Sequence, residues 1–226
     1  MKLKETTFKF HFPQTLMGGS KSKSGESFTQ VVYILISCQG SVIFSATNSS
    51  DIERMEQTEW TRIFQKKVDD LNKGDYWRLQ FDDSIVPNSP NQGWKQYIRN
   101  TGARFRCTRC GRSWPSNKAM VVFHMQLIGG QGTVKMRRMR QNCKKCSAAP
   151  MEIPSITSEN IDILLENLVE KIREKCYHED LGRGNKPFVN LEVKSPHEPA
   201  HCEACIQGIC TRGSTSLASA FLNLRI

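Results

Sequence analysis

The sequence lacks an apolar run long enough to cross a membrane. The longest candidate, residues 28–46, is interrupted by polar residues and a glycine, whereas a membrane-spanning helix needs about 20 mostly apolar residues. The closing stretch SLASAFLNLRI is too short to span at about 1.5 Å per residue. Lys21 and Lys23 ahead of residues 31–36 imitate a signal peptide only faintly, because that apolar run is short and lies late in the chain. We therefore expect neither a membrane anchor nor a cleaved leader.

Cysteine is too scarce for a disulfide scaffold. Nine cysteines in 226 residues are about 4%, below the fraction that marks disulfide-rich secreted domains. The odd number also leaves at least one thiol unpaired. These thiols fit a reducing compartment better than an oxidising one.

Several enzyme motifs are missing as well. The sequence contains no H-E-x-x-H helix motif, no phosphate-binding P-loop and no G-x-S-x-G elbow. A zinc deaminase needs H-x-E followed by P-C-x-x-C, and no cysteine pair here is preceded by proline. We expect the protein not to be an enzyme.

Acidic residues are absent from the stretch between Arg104 and Lys145, which contains eleven basic residues. Over the whole chain, 32 Lys and Arg against 22 Asp and Glu give a net charge of +10. This charge favours an acidic partner such as nucleic acid, an anionic membrane surface or acidic receptor loops. A second interpretation stays open, since a Zn²⁺ held by four thiolates is a site of net charge −2 that nearby cations neutralise.

Three Cys-x-x-Cys pairs, CTRC (107–110), CKKC (143–146) and CEAC (202–205), are the most informative feature that is present. The two sulfurs of such a turn can converge on one Zn²⁺ at about 2.3 Å. One pair alone would also fit a thioredoxin-type redox couple, but three favour metal binding. A predicted hairpin joins the first two pairs, as in a zinc ribbon. The predicted ligands of this ion are Cys107, Cys110, Cys143 and Cys146.

The third pair, Cys202 and Cys205, exceeds the four donors that one structural Zn²⁺ needs, so we expect one or two ions. From the residues alone, we favour a strand histidine with locally satisfied ring nitrogens for His124, and free thiols for Cys176 and Cys210. A second ion would nevertheless need two further donors. The candidates are His124, Cys176, His178, His201 and Cys210.

Hydrophobic periodicity predicts an α+β fold, with a zinc-ribbon-like antiparallel sheet held by the Cys-x-x-Cys pairs and flanked by two amphipathic helices. One helix is predicted near Glu56, where the domain begins, with Thr58 as its cap and apolar residues at helical spacing up to Leu71. The other is predicted from Thr157 to Tyr177 with Thr157 or Ser158 as its cap. The other predictions are strands at 75–81, 119–128, 133–143 and 188–193, an extended segment at 104–107 and a helical turn at 93–100.

The domain organisation follows from the same patterns. Residues 1–54 lack sustained periodicity and are predicted to form a loosely structured extension with one strand near residues 31–36. We expect the zinc-binding domain to cover residues 55–210. Residues 211–226 are predicted to be a short flexible tail.

Together these motifs resemble the receptor-transporting protein family, whose core is the 3CxxC-type zinc finger. The resemblance runs from about Met55 to Cys210. It is carried by EWTRIFQKKV (59–68), GWKQY (93–97), RFRCTRCGRSW (104–114), VVFHMQ (121–126), VKMRRMRQNCKKC (134–146), NLVEKIREKCY (167–177) and CEACIQGIC (202–210).

The resemblance implies an adaptor that helps chemosensory and other G-protein-coupled receptors reach the cell surface. Such an adaptor would work in the cytoplasm, at the face of the ER, Golgi or plasma membrane. The resemblance also implies that the three cysteine pairs and His124 bind zinc. Two features depart from the family: no hydrophobic C-terminal anchor is seen, and residues 1–54 have no counterpart.

Three functions therefore compete. In the adaptor interpretation, Arg137, Arg138 and Arg140 contact acidic receptor loops or anionic lipid. In the alternative, which matches an interferon-inducible branch of the family, cations beside the cysteines hold single-stranded RNA while Phe105 and Trp114 stack on bases. A third possibility is a structural zinc domain that only mediates protein contacts. A steep dependence of binding on salt would identify the RNA function.

Overall fold

The computed structural model describes residues 34–36, 42–44, 49–182 and 184–210. The chain divides into two units, Met1–Thr47 and Asn48–Ile226. In the first unit, strand β1 (Ile34–Ile36) pairs antiparallel with β2 (Val42–Phe44), so the strand expected near residues 31–36 is confirmed. The tail expected at 211–226, and most of the extension expected at 1–54, lie outside the described residues.

The second unit has an α+β architecture, as predicted. Its sheet has the order β3-β6-β5-β4, and a separate short ladder joins β7 to β8. The pairs β4–β5 and β5–β6 are antiparallel as expected. The edge strand β3 instead runs parallel to β6, a direction that alternation within one strand does not encode. The elements are α1 (Ser49–Asp69), β3 (Tyr76–Phe81), β4 (Lys95–Arg106), β5 (Ser113–Ile128), β6 (Gln131–Arg138), β7 (Gln141–Asn142), β8 (Met151–Glu152), α2 (Ser158–Cys176), a 3-10 turn (Pro199–His201) and α3 (Glu203–Ile206).

The central strand β5 is buried on both faces. Because successive side chains of a strand point to opposite faces, Val121 and Phe123 join the core formed with α1 and α2. Met120 and Val122 join a second, smaller core on the other face. The residues that cover this second core from the C-terminal end of the domain are Cys202, Ala204, Ile209 and Cys210.

The two helices were predicted with unequal accuracy at their starts. Helix α2 begins as expected, because the Thr157 hydroxyl accepts a hydrogen bond from the Asn160 N–H at 3.4 Å. Helix α1 begins at Ser49, so Thr58 does not cap it. The Thr58 hydroxyl donates instead to the Arg54 carbonyl within the helix, at 2.8 Å. Within the described part of the chain, neither these helices nor α3 combine the length and apolar content needed to cross a bilayer.

The helical turn predicted at residues 93–100 is wrong, because residues 95–100 form the first half of β4. Tyr97 lies directly opposite Phe123 of β5, and their rings stack with centroids 6.0 Å apart. The mixed apolar and polar pattern fits either a helix or a strand, and the contact between Tyr97 and Phe123 decides in favour of the strand.

At the other edge of the sheet, the Trp77 ring of β3 packs directly against Gly132 of β6. A Cβ at position 132 would lie 2.1 Å from this ring, so only glycine leaves room for the indole.

Residues 184–193, which we call the connecting segment, do not form the strand predicted at 188–193. Three asparagine side chains hold this segment by its backbone. Each carboxamide accepts from the N–H and donates to the carbonyl of a single residue, at distances from 2.6 to 3.1 Å. The side chains therefore replace the hydrogen bonds that a neighbouring strand would supply. The pairs are Asn117 with Leu191, Asn160 with Val189, and Asn167 with Lys186.

We predict that Asn160→Ala lowers the free energy of unfolding by about 1–3 kcal/mol, the usual range for leaving buried polar groups without partners. The Asn160 side chain is fully buried and also donates to the Gly102 carbonyl at 3.3 Å. Urea unfolding followed by tryptophan fluorescence measures the change. The matched control is Asn190→Ala, at an exposed asparagine of the same segment. Equal midpoints for the two variants would contradict the prediction.

Candidate metal centres

Four cysteine sulfurs converge beyond the ends of β4 and β7. All four Sγ atoms, those of Cys107, Cys110, Cys143 and Cys146, lie within 4.8 Å of one another. The pairs Cys107–Cys146 and Cys110–Cys143 are each 3.9 Å apart. A tetrahedral ion with Zn–S bonds of about 2.3 Å places its sulfurs about 3.8 Å apart, whereas a disulfide bond is about 2.05 Å long. The geometry fits a tetrahedral Zn²⁺.

The turn between Cys107 and Arg112 shapes the first half of this centre. The Cys107 N–H donates to the Arg112 carbonyl at 2.8 Å, and the Gly111 N–H donates to the Cys107 carbonyl at 2.9 Å. Gly111 has a φ of 72°, in the left-handed region that glycine adopts without strain. The turn thereby brings Cys110 back beside Cys107.

The thiols of this first centre differ in acidity. A hydrogen bond from the Lys145 backbone, helped by the Arg112 guanidinium at 3.9 Å, lowers the pKa of Cys143 to about 6. Hydrogen bonding to Cys110, together with burial and the other nearby sulfurs, raises the pKa of Cys146 to about 12. Four thiolates this close repel one another, so the ionised set needs a divalent cation.

A second group lies at the C-terminal end of the domain. The donor atoms of His197, Cys202 and Cys205 lie within 4.8 Å of one another. The His197 Nε2 is 3.1 Å from the Cys205 Sγ and 3.8 Å from the Cys210 Sγ. Burial raises the pKa values of Cys202 and Cys205. The third Cys-x-x-Cys pair therefore belongs to a group of its own.

Backbone and side-chain contacts attach this second group to the sheet. The Glu203 N–H donates to the Arg140 carbonyl at 3.0 Å, and the Arg140 N–H donates to a Glu203 carboxylate oxygen at 2.7 Å. Gln141 and Cys202 form an isolated β-bridge. The Arg137 guanidinium lies 2.5 Å from the Glu203 carboxylate. These contacts hold Cys202 and Glu203 against the residues at and between the ends of β6 and β7.

The structure does not bring His124 to either cysteine group of the described residues. Its side chain lies mid-strand, with Nε2 3.1 Å from the Gln96 Oε1, and burial lowers its pKa. His201 also lies elsewhere, 2.7 Å from the Asn142 Oδ1. Sequence reasoning missed His197, and it favoured a free thiol for Cys210 although Cys210 was among the candidate donors. The spacing His-x4-Cys-x2-Cys-x4-Cys over residues 197–210 was the available signal.

The three arginines expected to contact a partner are engaged within the domain. Arg138 is 6% exposed and lies 2.8 Å from the Glu56 carboxylate of α1. Arg137 pairs with Glu203, and Arg140 with Asp83. The hairpin is therefore not the free cationic surface that its sequence suggested.

The two aromatic rings expected to stack on bases are also engaged. Phe105 is 1% exposed and stacks on Trp114 with centroids 5.6 Å apart. The Arg112 guanidinium lies 5.3 Å from the centre of the Trp114 ring, and the indole N–H donates to Gln141. These rings stabilise the end of the sheet beside the first centre.

Comparison with known proteins gives a consistent set of relatives. Residues 100–208 match the 3CxxC zinc-ribbon family, described as a zinc-binding domain. Receptor-transporting protein 2 of Mus musculus is 35% identical over 154 residues, which cover 67% of this chain and 69% of that protein. Receptor-transporting protein 3 of Mus musculus is 37% identical over 173 residues, or 75% and 36% of the two chains.

Receptor-transporting protein 1 of Homo sapiens is 32% identical over 166 residues, which cover 72% of this chain and 63% of that protein. The chain thus matches between about a third and about two thirds of the length of these relatives. No solved structure matches it.

We predict that Cys146→Ser releases one zinc ion per chain and lowers the melting temperature, because a structural zinc site contributes folding free energy. The sulfurs lie outside the main core, so we expect the α1–α2 side of the sheet to persist. The measurements are elemental analysis and thermal unfolding of the purified protein. The matched control is Cys176→Ser, at a half-buried cysteine outside both groups. Full zinc content in Cys146→Ser would contradict the assignment.

Proposed function

This chain belongs to the receptor-transporting protein family, and we propose from that membership that it is a zinc-stabilised adaptor for delivering G-protein-coupled receptors of the olfactory or taste type to the cell surface. The observation that carries the proposal is the shared zinc-binding domain. A relative named for receptor transport is covered over 69% of its length, and four sulfurs within residues 100–208, the part that matches the zinc-binding family, lie within 4.8 Å of one another.

The proposed role of zinc is structural. Cys107, Cys110, Cys143 and Cys146 together supply four thiolates to one ion, which leaves no open position for a substrate. Cys202 and Cys205 are proposed to bind a second ion. When bound, Zn²⁺ supplies charge neutralisation and rigid geometry to these turns. The zinc ribbon and the names of the relatives point to an adaptor role without catalysis.

The proposed contact surface is the end of β4 beside the first centre, in place of the paired hairpin arginines. Arg104 and Arg106 are exposed and point to the same face, because they are two residues apart on a strand. Lys145 is exposed at the same end of the domain, since its neighbour Cys146 lies 3.9 Å from Cys107. We call these three residues the knuckle patch. Among the described residues, the ion pairs found do not include any of the three.

The positive charge of the knuckle patch is complementary to two partners that occur together at the cytosolic face of a membrane, namely acidic receptor segments and anionic lipid. Acidic cytosolic segments of a receptor would bind the patch, and anionic lipid of the same membrane face would add about 1 kcal/mol per nearby cation. The adaptor would then act in the cytoplasm, at the membranes along which receptors travel. The RNA-binding alternative has less support, because Phe105, Trp114 and the hairpin arginines are engaged elsewhere.

We predict that Arg104→Gln/Arg106→Gln reduces surface delivery of a co-expressed chemosensory receptor several-fold, towards the level without the adaptor, because the patch loses two positive charges. An antibody to an extracellular tag on the receptor, read by flow cytometry, measures delivery. The matched control is Arg62→Gln/Lys66→Gln, which removes two exposed cations from α1. Zinc content should be equal in all three proteins.

Two outcomes would count against this function. If the unaltered chain does not raise surface receptor above the level without it, the adaptor proposal fails. If purified protein instead binds single-stranded RNA with an affinity that falls steeply between low and physiological salt, and the knuckle-patch variant loses that binding, the RNA alternative replaces it.

A further inference from the structure

We infer that the second group is a complete zinc site with four protein ligands, His197, Cys202, Cys205 and Cys210. This assignment replaces His124 as the histidine ligand and gives Cys210 a partner. It rests on the proposed zinc binding of the chain and is independent of the receptor-transport role. The ion would also hold the C-terminal end of the domain on the second face of the sheet.

The distances around His197 fit one tetrahedral ion. With bonds of about 2.05 Å to nitrogen and 2.3 Å to sulfur, a nitrogen and a sulfur on the same Zn²⁺ lie about 3.6 Å apart. The His197 Nε2 lies 3.1 Å from the Cys205 Sγ and 3.8 Å from the Cys210 Sγ. The Cys202 Sγ lies within 4.8 Å of both the His197 and the Cys205 donor atoms. The sulfurs of Cys205 and Cys210 therefore lie near coordination spacing from the imidazole nitrogen, and the Cys202 sulfur lies within 4.8 Å of it.

The local backbone shares one hydrogen bond with the turn at the first centre, because the Ile206 N–H donates to the Cys202 carbonyl at 3.0 Å as the Gly111 N–H does to the Cys107 carbonyl. The Cys205 N–H donates to the Cys202 carbonyl at 3.0 Å, which closes the Cys-x-x-Cys turn. Gly208, three residues after Cys205, has a φ of 70°, which lets the chain reverse without strain. The chain then folds back, because the Cys210 N–H donates to the Ala204 carbonyl at 3.2 Å. This reversal brings Cys210 towards the first two sulfurs.

The fourth ligand comes from the other side of the group. His197 precedes the 3-10 turn at Pro199–His201, and its ring reaches Cys205 across that turn. Cys202 and Cys205 would thus form a zinc knuckle, and His197 would add a ligand from the neighbouring loop. His124 does not lie with this group, and its Nε2 is 3.1 Å from the Gln96 Oε1 within the sheet.

The metal also explains how the second core is covered. Residues 199–210 contain only a three-residue 3-10 turn and a four-residue helix, which are too short to be stable alone. Yet this stretch buries Met120 and Val122 together with Cys202, Ala204 and Cys210. Ligands in a short covering segment supply the stability that its secondary structure lacks.

The test counts zinc per chain by elemental analysis of the full-length protein after gel filtration, without any receptor present. We expect two ions in the unaltered protein and one in His197→Gln and in Cys210→Ser. The matched controls are His124→Gln and Cys176→Ser, which should each keep two. His197→Cys should also keep two, because it replaces one zinc ligand with another. After substitution with cobalt, this last variant should show stronger sulfur-to-metal charge-transfer absorption.

Each other outcome overturns the assignment. One ion in the unaltered protein would show that the second group does not bind zinc. Two ions in His197→Gln or Cys210→Ser would remove that residue from the ligand set, and loss of an ion from His124→Gln would restore His124. If the variants do not fold, zinc X-ray absorption of the unaltered protein decides. It should require one nitrogen ligand for every seven sulfurs, and an all-sulfur shell would refute the proposal.

Discussion

The burial of one strand on both faces governs the arrangement of this domain. Strand β5 (Ser113–Ile128) carries apolar side chains towards both sides, so each face must be covered by another part of the chain. Helices α1 and α2 cover one face. The other face is left to a stretch of a few residues around α3, which cannot fold by its own helix propensity. The chain is large enough to build a core between the sheet and the two helices without metal. On the other face, the proposed zinc ligands would stabilise the short stretch around α3.

The same alternation of side chains brings the hairpin arginines to carboxylates on both faces of the sheet. Neighbouring residues of β6 point to opposite faces, so Arg138 meets Glu56 on α1 while Arg137 meets Glu203 on the opposite cover. Because a partly buried guanidinium without a partner is costly, both covers supply carboxylates. The chain has a net charge of +10, and the exposed part of its positive charge therefore lies outside these paired arginines. Arg104 and Arg106 are among the exposed cations.

Sequence reasoning succeeded where a pattern is local and failed where a tertiary contact decides. Helix α2, its Thr157 cap and the β5–β6 hairpin follow from periodicity and turn residues. The parallel pairing of β3, the strand at residues 95–100 and the connecting segment held by asparagines depend on partners distant in sequence. The family resemblance added His124 to the expected ligands, whereas His197 lies in a loop whose approach to Cys205 only the folded chain shows. Charge counting likewise could not reveal which arginines have carboxylate partners.

The two centres differ in what each one stabilises. The first closes the ends of strands whose core is supplied by the helices, so its loss should act mainly on the turns around Cys107 and Cys143. The second fastens the cover of an apolar face, and the same cover carries the Glu203 that neutralises Arg137. Detachment of the cover would expose Met120 and Val122 and free a cation beside them at the same time. An apolar patch rimmed by positive charge binds other proteins and anionic membranes indiscriminately. The selectivity of the proposed adaptor would therefore depend more on the second centre than on the first.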